Sequence, residues 1–483
     1  MSNTESTVPL TKSYLIAYAG LALPLSIAFI PMVIYLPAFY AKEVGLSVGM
    51  VGLVFLLARL WDGMSDLIVG ALSDRTHSRF GRRKPWVVVG APLLMVATWY
   101  LCNPPKDVGL LYLGVWAALF YIAYTFVIVP YWSWGAELST SYEERSRITG
   151  FREGGTMIGN VIVAAAPVLL LDNDAPVRDA LLLITGLIII LLPLTTIPLA
   201  IAIKDPRHLS APKVGYSQLF SALRKNQPLQ RFLLAILCFS ISLGVINSTG
   251  IFLIDIGFGL PGAFFLLFLI QYLVGVVSVP LVIRLGNRFN KHHLVAGSFV
   301  ISIAYYLALS TLPTGHYYLI AGFVSISGIT FACYNAYATS ILADIVDYGT
   351  ASSGEAPTGI YMALYNLTLK IGLALGIGLA YGFLDLIGFD PAAAAHTAKD
   401  VLKIRLTACV PTALLLIPAA YLLWNFPITR EVQQELRRKI ESQRDHCQQG
   451  SKHNTDADLS SAQTNSTLPT KSSGNTVLLP DNG

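Results

Sequence analysis

Long, mostly apolar runs recur along this chain with short polar connectors between them, and that repetition constrains the fold more than any single motif. The runs lie near 14–41, 48–72, 86–103, 109–136, 150–171, 180–203, 232–256, 261–284, 294–312, 317–345, 359–386 and 404–425. Each is close to the roughly 20 residues that carry a helix across a bilayer. Inside hydrocarbon every backbone N–H and C=O must find its partner within the protein, so such runs are helices. The expectation is an all-α polytopic membrane protein with twelve transmembrane helices. The thinnest connector, Gly257-Phe258-Gly259-Leu260-Pro261-Gly262, is where that count is most exposed to error.

Composition agrees with the pattern. Charged residues make up 13% of the chain and hydrophobic ones 54%, against about 25% charged in soluble domains. The net charge of +5 is spread over short loops rather than gathered on one surface, which argues against a nucleic-acid partner. Cys102, Cys238, Cys333, Cys409 and Cys447 have no CxxC spacing and read as small core residues, with no metal or disulfide framework. The run from Tyr14 to Ala41 is too long for a signal sequence and is expected to stay as a helix. There is no HExxH and no GxxxxGK[ST] phosphate loop, so an enzyme is not expected, nor a cofactor.

Lysine and arginine set the expected orientation. With the N-terminus inside, the inner connectors hold Arg75, Arg79, Arg82, Arg83, Lys84, Arg145, Arg147, Lys204, Arg207, Lys213, Arg224, Lys225, Arg231, Arg284, Arg288 and Lys291, sixteen in all. The outer connectors hold six, namely Lys42, Lys106, Arg178, Lys399, Lys403 and Arg405. The even span count returns the C-terminus to the cytoplasmic side. The expected organisation is a cytoplasmic N-terminus (1–13), a first six-helix bundle (14–203), a cytoplasmic central loop (204–231), a second six-helix bundle (232–425) and a cytoplasmic tail (426–483). Glu431 to Arg444 suits a short charged helix, and Gln448 to Gly483, rich in Ser, Thr, Asn and Asp, suits disorder.

The two halves echo each other. Arg79-Phe80-Gly81-Arg82-Arg83-Lys84 after the second span corresponds to Arg288-Phe289-Asn290-Lys291-His292-His293 after the eighth. Gly135-Ala136-Glu137-Leu138 ending the fourth span corresponds to Leu342-Ala343-Asp344-Ile345 ending the tenth. A duplicated set of six spans is the pattern of transporters whose halves rock about a central site.

Charges inside the spans are the shortest list of functional candidates, because burying each at membrane depth costs several kcal/mol by most estimates. Arg59, Asp62 and Asp66 are spaced i, i+3, i+7 and share one helix face. Lys370 lies mid-span in the eleventh helix, too deep to snorkel to either surface, and needs a carboxylate partner. Asp62 or Asp66 on the other bundle is the natural one. A permanent inter-bundle ion pair and a pairing that changes when a cation arrives use the same residues, and both readings stand. Two carboxylates one turn apart offer oxygen ligands to Na⁺ or, by mutual repulsion, a place for a proton. Ser65 and Thr125 add neutral oxygens. The fourth span supplies Tyr121, Tyr124, Tyr131, Trp132 and Trp134, and Arg152 follows on the fifth, a set that suits either an interfacial belt or a ligand cavity. In the loops, Asp74, Arg75, Arg82, Arg83 and Arg145, with Glu143, Glu144 and Arg147, suit inner-gate salt bridges or solvated topology signals. Asp344 and Asp347 are expected to join that inner network.

Four ordered motifs now resemble a known family. Ala58-Arg59-Leu60-Trp61-Asp62-Gly63-Met64-Ser65-Asp66, Arg79-Phe80-Gly81-Arg82-Arg83-Lys84-Pro85-Trp86, Val129-Pro130-Tyr131-Trp132-Ser133 and Ala343-Asp344-Ile345-Val346-Asp347-Tyr348-Gly349 look like the glycoside–pentoside–hexuronide:cation symporters, the melibiose-permease family of the major facilitator superfamily. The resemblance covers roughly residues 14 to 425. It implies the major facilitator fold and cotransport of a sugar or glycoside with Na⁺ or H⁺. By motif, Asp62 and Asp66 match cation-site aspartates, with Ser65 and Thr125 beside them. Arg152 matches a sugar-site arginine, Tyr124 and Trp132 match sugar-facing aromatics, and Lys370 matches the helix-eleven lysine, with Arg59 beside the pair. The expected location is the plasma membrane, multi-pass (the inner membrane in a bacterium), and the expected state is a monomer.

The departures fall on the substrate half. Where melibiose-type members carry a first-helix aspartate this chain has no carboxylate, and Ser26 falls near the place. Ile128 stands where another aspartate is expected. The tenth-helix tryptophan is absent, with Tyr334-Asn335 in that region, so Asn335 joins Ser26, Tyr124, Trp132 and Arg152 as substrate-side candidates. Ser65 stands where an asparagine is common in Na⁺-coupled members. Melibiose itself is therefore doubtful. A rival reading is a relative that moves another organic solute, such as a lysolipid.

Overall fold

The computed structural model describes residues 10–76, 78–139, 142–172, 175–203, 223–224, 226–353, 358–393, 395–436 and 438. Lys204, Arg207, Lys213 and Lys225 of the central connector, and the tail beyond 438, lie outside the described residues. Within them the chain is helical, with twelve helices or broken helices long and apolar enough to span a membrane.

The first span is not one rod. It divides into α1 (Lys12–Ala19), α2 (Ala22–Val33) and α3 (Tyr35–Lys42). Pro37 of α3 has no N–H for the Val33 carbonyl, and its ring crowds the turn that precedes it. Ile34, between α2 and α3, shows the resulting distortion with φ −111°. Then come α4 (Val48–Arg75), α5 (Lys84–Cys102), α6 (Leu110–Glu137), α7 (Tyr142–Leu170) and α8 (Val177–Ala202). The second half holds α9 (Gln227–Phe252), α10 (Phe264–Gly286), α11 (Lys291–Thr311), α12 (Tyr317–Ser353), α13 (Thr358–Leu386) and α14 (Ala398–Trp424). A π-helical turn, Leu253–Gly257, ends α9 and carries Asp255.

Several helices outrun the apolar pattern. α7 begins at Tyr142, taking the 143–147 charge cluster into a helix instead of a loop, and α12 continues past Asp344 and Asp347 to Ser353. α14 starts at Ala398 with a Thr397–Asp400 capping box, so Lys399, Lys403 and Arg405 are helical. Hydropathy marks only the hydrocarbon stretch, while the helix continues into water wherever caps or ion pairs satisfy its end.

Most helix–helix contacts fall within one half of the chain or the other, and each half is called a bundle below. α2 packs on α7, α4 and α5 on α6, and α5 on α8; in the other half α9 packs on α13 and α14, α11 on α14, and α12 on α10 and α11. The bundles meet along α4–α13 and α7–α10, and α3 also touches α9. Small residues permit the closest approaches. A Cβ on Gly244 of α9 would lie 2.6 Å from the Leu373 carbonyl oxygen and 2.9 Å from Gly376 Cα on α13. Between bundles, a Cβ on Gly49 would lie 2.7 Å from the Asp385 carboxyl. Large apolar side chains such as Leu111, Val277 and Ile201 remain about four-fifths exposed, a surface suited to lipid tails rather than water. The face carrying the 76–83 and 287–290 connectors is called the basic face below.

Candidate cation and substrate site

The centre of the molecule is a four-charge cluster between α4 and α13. Arg59 and Asp62 are 3% and 0% exposed. Arg59 Nη1 lies 3.0 Å from Asp62 Oδ2, and Lys370 Nζ lies 2.9 Å from the same oxygen and 2.5 Å from Asp66 Oδ2. Lys370 donates a hydrogen bond to Asp66, whereas Asp62 Oδ2 has no aligned hydrogen bond and is held by two nearby cations. The structure thus joins Lys370 to both aspartates rather than to one. Two carboxylates, one guanidinium and one ammonium sum to zero formal charge, which is how a charged cluster is tolerated at this depth.

Neutral oxygens complete the cluster. Thr125 Oγ1 lies 3.3 Å from Asp62 Oδ1, 3.1 Å from Asp66 Oδ1 and 3.1 Å from Ser65 Oγ, and Ser65 can also donate to the Asp62 carbonyl at 2.9 Å. A threonine hydroxyl has one proton, so it serves only one of those acceptors at a time. Two aspartates, two hydroxyls and a carbonyl therefore form an oxygen-rich nest with more lone pairs than protons, the donor chemistry that a hard monovalent cation prefers. Arg59 is fixed from behind, its Cζ 4.6 Å from the Phe29 ring centroid and 5.4 Å from that of Tyr121.

The substrate-side candidates scatter around this nest. Tyr124 is buried, its ring 5.9 Å from Phe29 and 6.0 Å from Phe120. Arg152 lies over the Trp132 ring at 5.4 Å and pairs with Glu153 at 2.7 Å, and Trp132 is 42% exposed. Ser26 is buried, donates to the Leu23 carbonyl at 2.9 Å and lies against Gly159 of α7. Asn335 is exposed and donates to the Phe331 carbonyl.

The loop candidates gather on the basic face. Arg83, 2% exposed, pairs with Asp74 at 2.5 Å and Glu137 at 2.9 Å, and Arg82 reaches Glu137 at 2.7 Å. Burial alone would lower the Arg83 pKa, but Glu137 and Asp74 outweigh it and the net direction is upward. Asp344 pairs with Lys291 at 2.9 Å, half-buried Asp347 follows on α12, Arg145 donates to the Ser139 carbonyl, and Arg75 is exposed. Each of these contacts joins parts of one bundle. On the opposite face Lys42 reaches across to Asp255 at 2.9 Å.

Phe29 escaped the sequence reading, since one phenylalanine in an apolar run carries no signal. Glu137 was visible as an acidic helix end, yet its place under two arginines follows only from the packing of α5 on α6. Asn247 and Gln271, two uncharged amides in apolar spans, were also passed over; both line a cavity in the second bundle.

A twelve-helix, two-bundle protein with a charged cluster between its halves is a transporter of the major facilitator class. The chain belongs to the MFS/sugar transport protein family, whose model matches residues 17–430. It is 24% identical over 446 residues to the glucuronide carrier protein homolog of Escherichia coli, covering 87% of this chain and 94% of that one. It is 21% identical over 439 residues to the sodium-dependent lysophosphatidylcholine symporter 1-B of Danio rerio, covering 82% and 83%. Among solved structures, a bacterial homolog of the human lysosomal transporter Spinster matches with a TM-score of 0.63 at 13% identity, over 89% of this chain and 99% of that one, a likeness of fold alone. The protein is thus a membrane symporter, not an enzyme.

Proposed function

We propose that this protein carries a saccharide or glycoside across the plasma membrane together with Na⁺ or H⁺, with the basic face and both termini in the cytoplasm. The observation that carries the reading is the placement of Lys370 Nζ between Asp62 and Asp66, on helices from different bundles. Without a coupling ion the ammonium balances the aspartates and ties α13 to α4. When a monovalent cation takes its place among the Asp62, Asp66, Ser65 and Thr125 oxygens, charge balance is kept and Lys370 is released. The cation therefore interacts differently with the tied and untied arrangements, and only such a difference shifts a conformational equilibrium. Motif resemblance and the sugar-carrying relative favour a saccharide. Arg152 and partly exposed Trp132, stacked on each other, offer a guanidinium fork and an aromatic face to a ring.

The test is uptake into proteoliposomes under an imposed Na⁺ or H⁺ gradient, with a saccharide chosen by ligand-stabilisation screening with and without Na⁺ and a lysolipid arm alongside. Asp62→Cys is expected to insert normally and to lose cation-driven accumulation. Gradient-driven accumulation at the wild-type level in that variant would exclude the proposed ion site, and stabilisation by the lysolipid alone would exclude the saccharide.

A further inference from the structure

The second bundle holds a cavity that the coupling cluster does not use. It lies between α9, α10, α11 and α12, with Ile34 of the first bundle at its edge, and offers about 110 Å³. Its depth is set by its walls. Phe239 lies at one end, its ring 4.0 Å from Tyr334, whose hydroxyl meets that of Tyr365 on α13 at 2.9 Å. Ile254, in the π-helical turn beside Asp255, lies at the other end. The cavity therefore runs from near the level of Lys370 toward the face opposite the basic one.

Three features of the lining define an occupant. Aromatic rings, among them Phe239, Phe268, Phe299 and Tyr305, supply flat apolar walls. Ser242, Ser302, Ser327 and Thr330 direct their protons to helix carbonyls or to one another and keep acceptor lone pairs. Asn247 of α9 and Gln271 of α10 line the same space, and neither amide has a side-chain hydrogen bond among the described residues. Both amides are half-buried and their donors and acceptors are free to meet whatever fills the cavity, which suits a ligand that both donates and accepts. No residue of the lining carries a formal charge. A phosphate headgroup or a uronate carboxylate would find no counter-charge there. Size narrows the class further, since an apolar cavity of about 150 Å³ takes one benzene. At about 110 Å³ the enclosed part is smaller than that, but the cavity is open at one side, so it takes the face of one six-membered ring with the remainder in the mouth, and not a long acyl chain.

We propose that this cavity is a subsite for one neutral, hydroxyl-bearing ring of the transported solute, stacked on the aromatic walls and bonded by Asn247 and Gln271. The inference rests on the saccharide reading given above and sharpens it. The preferred substrate has at least two rings, and the one in this subsite is uncharged.

The experiment is equilibrium binding to the purified full chain at fixed Na⁺. The probes are methyl glucosides and galactosides, neutral disaccharides (maltose, lactose and melibiose), and the disaccharide analogues in which either one of the two rings is a uronate. At least one neutral disaccharide should bind ten-fold or more tighter than the matching methyl glycoside, and at least one of its two uronate analogues should lose that advantage. Gln271→Leu on α10 and Asn247→Leu on α9, tested separately, should each weaken the disaccharide about ten-fold while leaving methyl-glycoside binding and Na⁺-induced stabilisation within two-fold. A disaccharide preference untouched by both substitutions, or single-ring glycosides binding as tightly as any disaccharide, overturns the subsite and leaves the saccharide reading standing. Binding of none of these sugars overturns both. Because the two variants lie on different helices, one that folds poorly leaves the other to decide.

Discussion

Lys370→Ala isolates the central idea. The substitution removes an ammonium 2.5 Å from Asp66 and 2.9 Å from Asp62, and the formal charge of the cluster falls from zero to −1. Unit charges 4 Å apart interact by about 4 kcal/mol at an effective dielectric near 20, and removing one member of a buried pair typically destabilises by about 3–5 kcal/mol. The loss is recoverable if a free cation seats where the ammonium was. At a concentration 100 times its Kd, such an ion returns about 2.7 kcal/mol. At roughly 2 °C per kcal/mol for a large domain, that is a rise in Tm of about 5 °C. Thermal unfolding of detergent-purified protein in choline chloride, NaCl and acidified choline at constant ionic strength reads it out. Lys370→Ala should melt below wild type in choline and recover in whichever of Na⁺ or H⁺ is the coupling ion, with a larger response than wild type because its competitor is gone. The double variant with Asp62→Asn should lose the response. Equal cation responses in Lys370→Ala and wild type would refute the idea that ammonium and ion compete for one set of oxygens.

Other expectations test the frame around that cluster. Glu137→Gln takes a carboxylate from buried Arg83 and from Arg82; hydrogen bonds to charged groups are worth about 1.5–3 kcal/mol, so the melting temperature should drop by several degrees, and an unchanged melt would remove Glu137 as an anchor. Lys42→Ala cuts the link to Asp255 on the opposite bundle; such part-exposed pairs contribute at most about 1 kcal/mol, so maleimide labelling of a cysteine placed at Ile34 should rise no more than about five-fold, and slower labelling would mean the pair does not hold that face closed. Gly376→Val forces a branched side chain against Gly244 and Ile241; overpacking costs about 1–3 kcal/mol or more, which should appear as poor expression or a broadened gel-filtration peak, while Gly382→Ala, where a Cβ meets nothing within 4 Å, should be silent.

The span count and the charged stripe of α4 were legible because both follow from simple periodicities. Apolar length set the first, and the i, i+3, i+7 spacing of Arg59, Asp62 and Asp66 set the second. Lys370 was legible as an oddity with a short list of partners. That it bridges both aspartates, and that Asp62 Oδ2 faces two cations, depends on the approach of α13 to α4, which no local pattern encodes. Helix ends were the least legible. The 142–147 turn of α7 and the last turns of α12 are too polar for a hydropathy run, yet they are helix because water and ion pairs serve their backbone there. The break at Ile34 has its cause in Pro37, three residues on, but proline within α5, α6 or α14 does not interrupt the helix, so the residue alone does not decide. The cavity was illegible for a different reason. Its lining depends on how four consecutive helices pack side by side, and only Asn247 and Gln271, amides in apolar surroundings, marked it.

The bare contact of Gly244 with Gly376 has a mechanical meaning. Where two backbones approach with no side chains between them, the helices pack as closely as a seam allows. Such a seam favours movement of α9 and α13 as a pair. On the proposed reading, a shift of α13 that follows release of Lys370 would carry α9, and Asn247 with it. The lysine that answers the cation and the wall proposed to meet the ring would then share one moving part, with no relay of intermediate side chains between them.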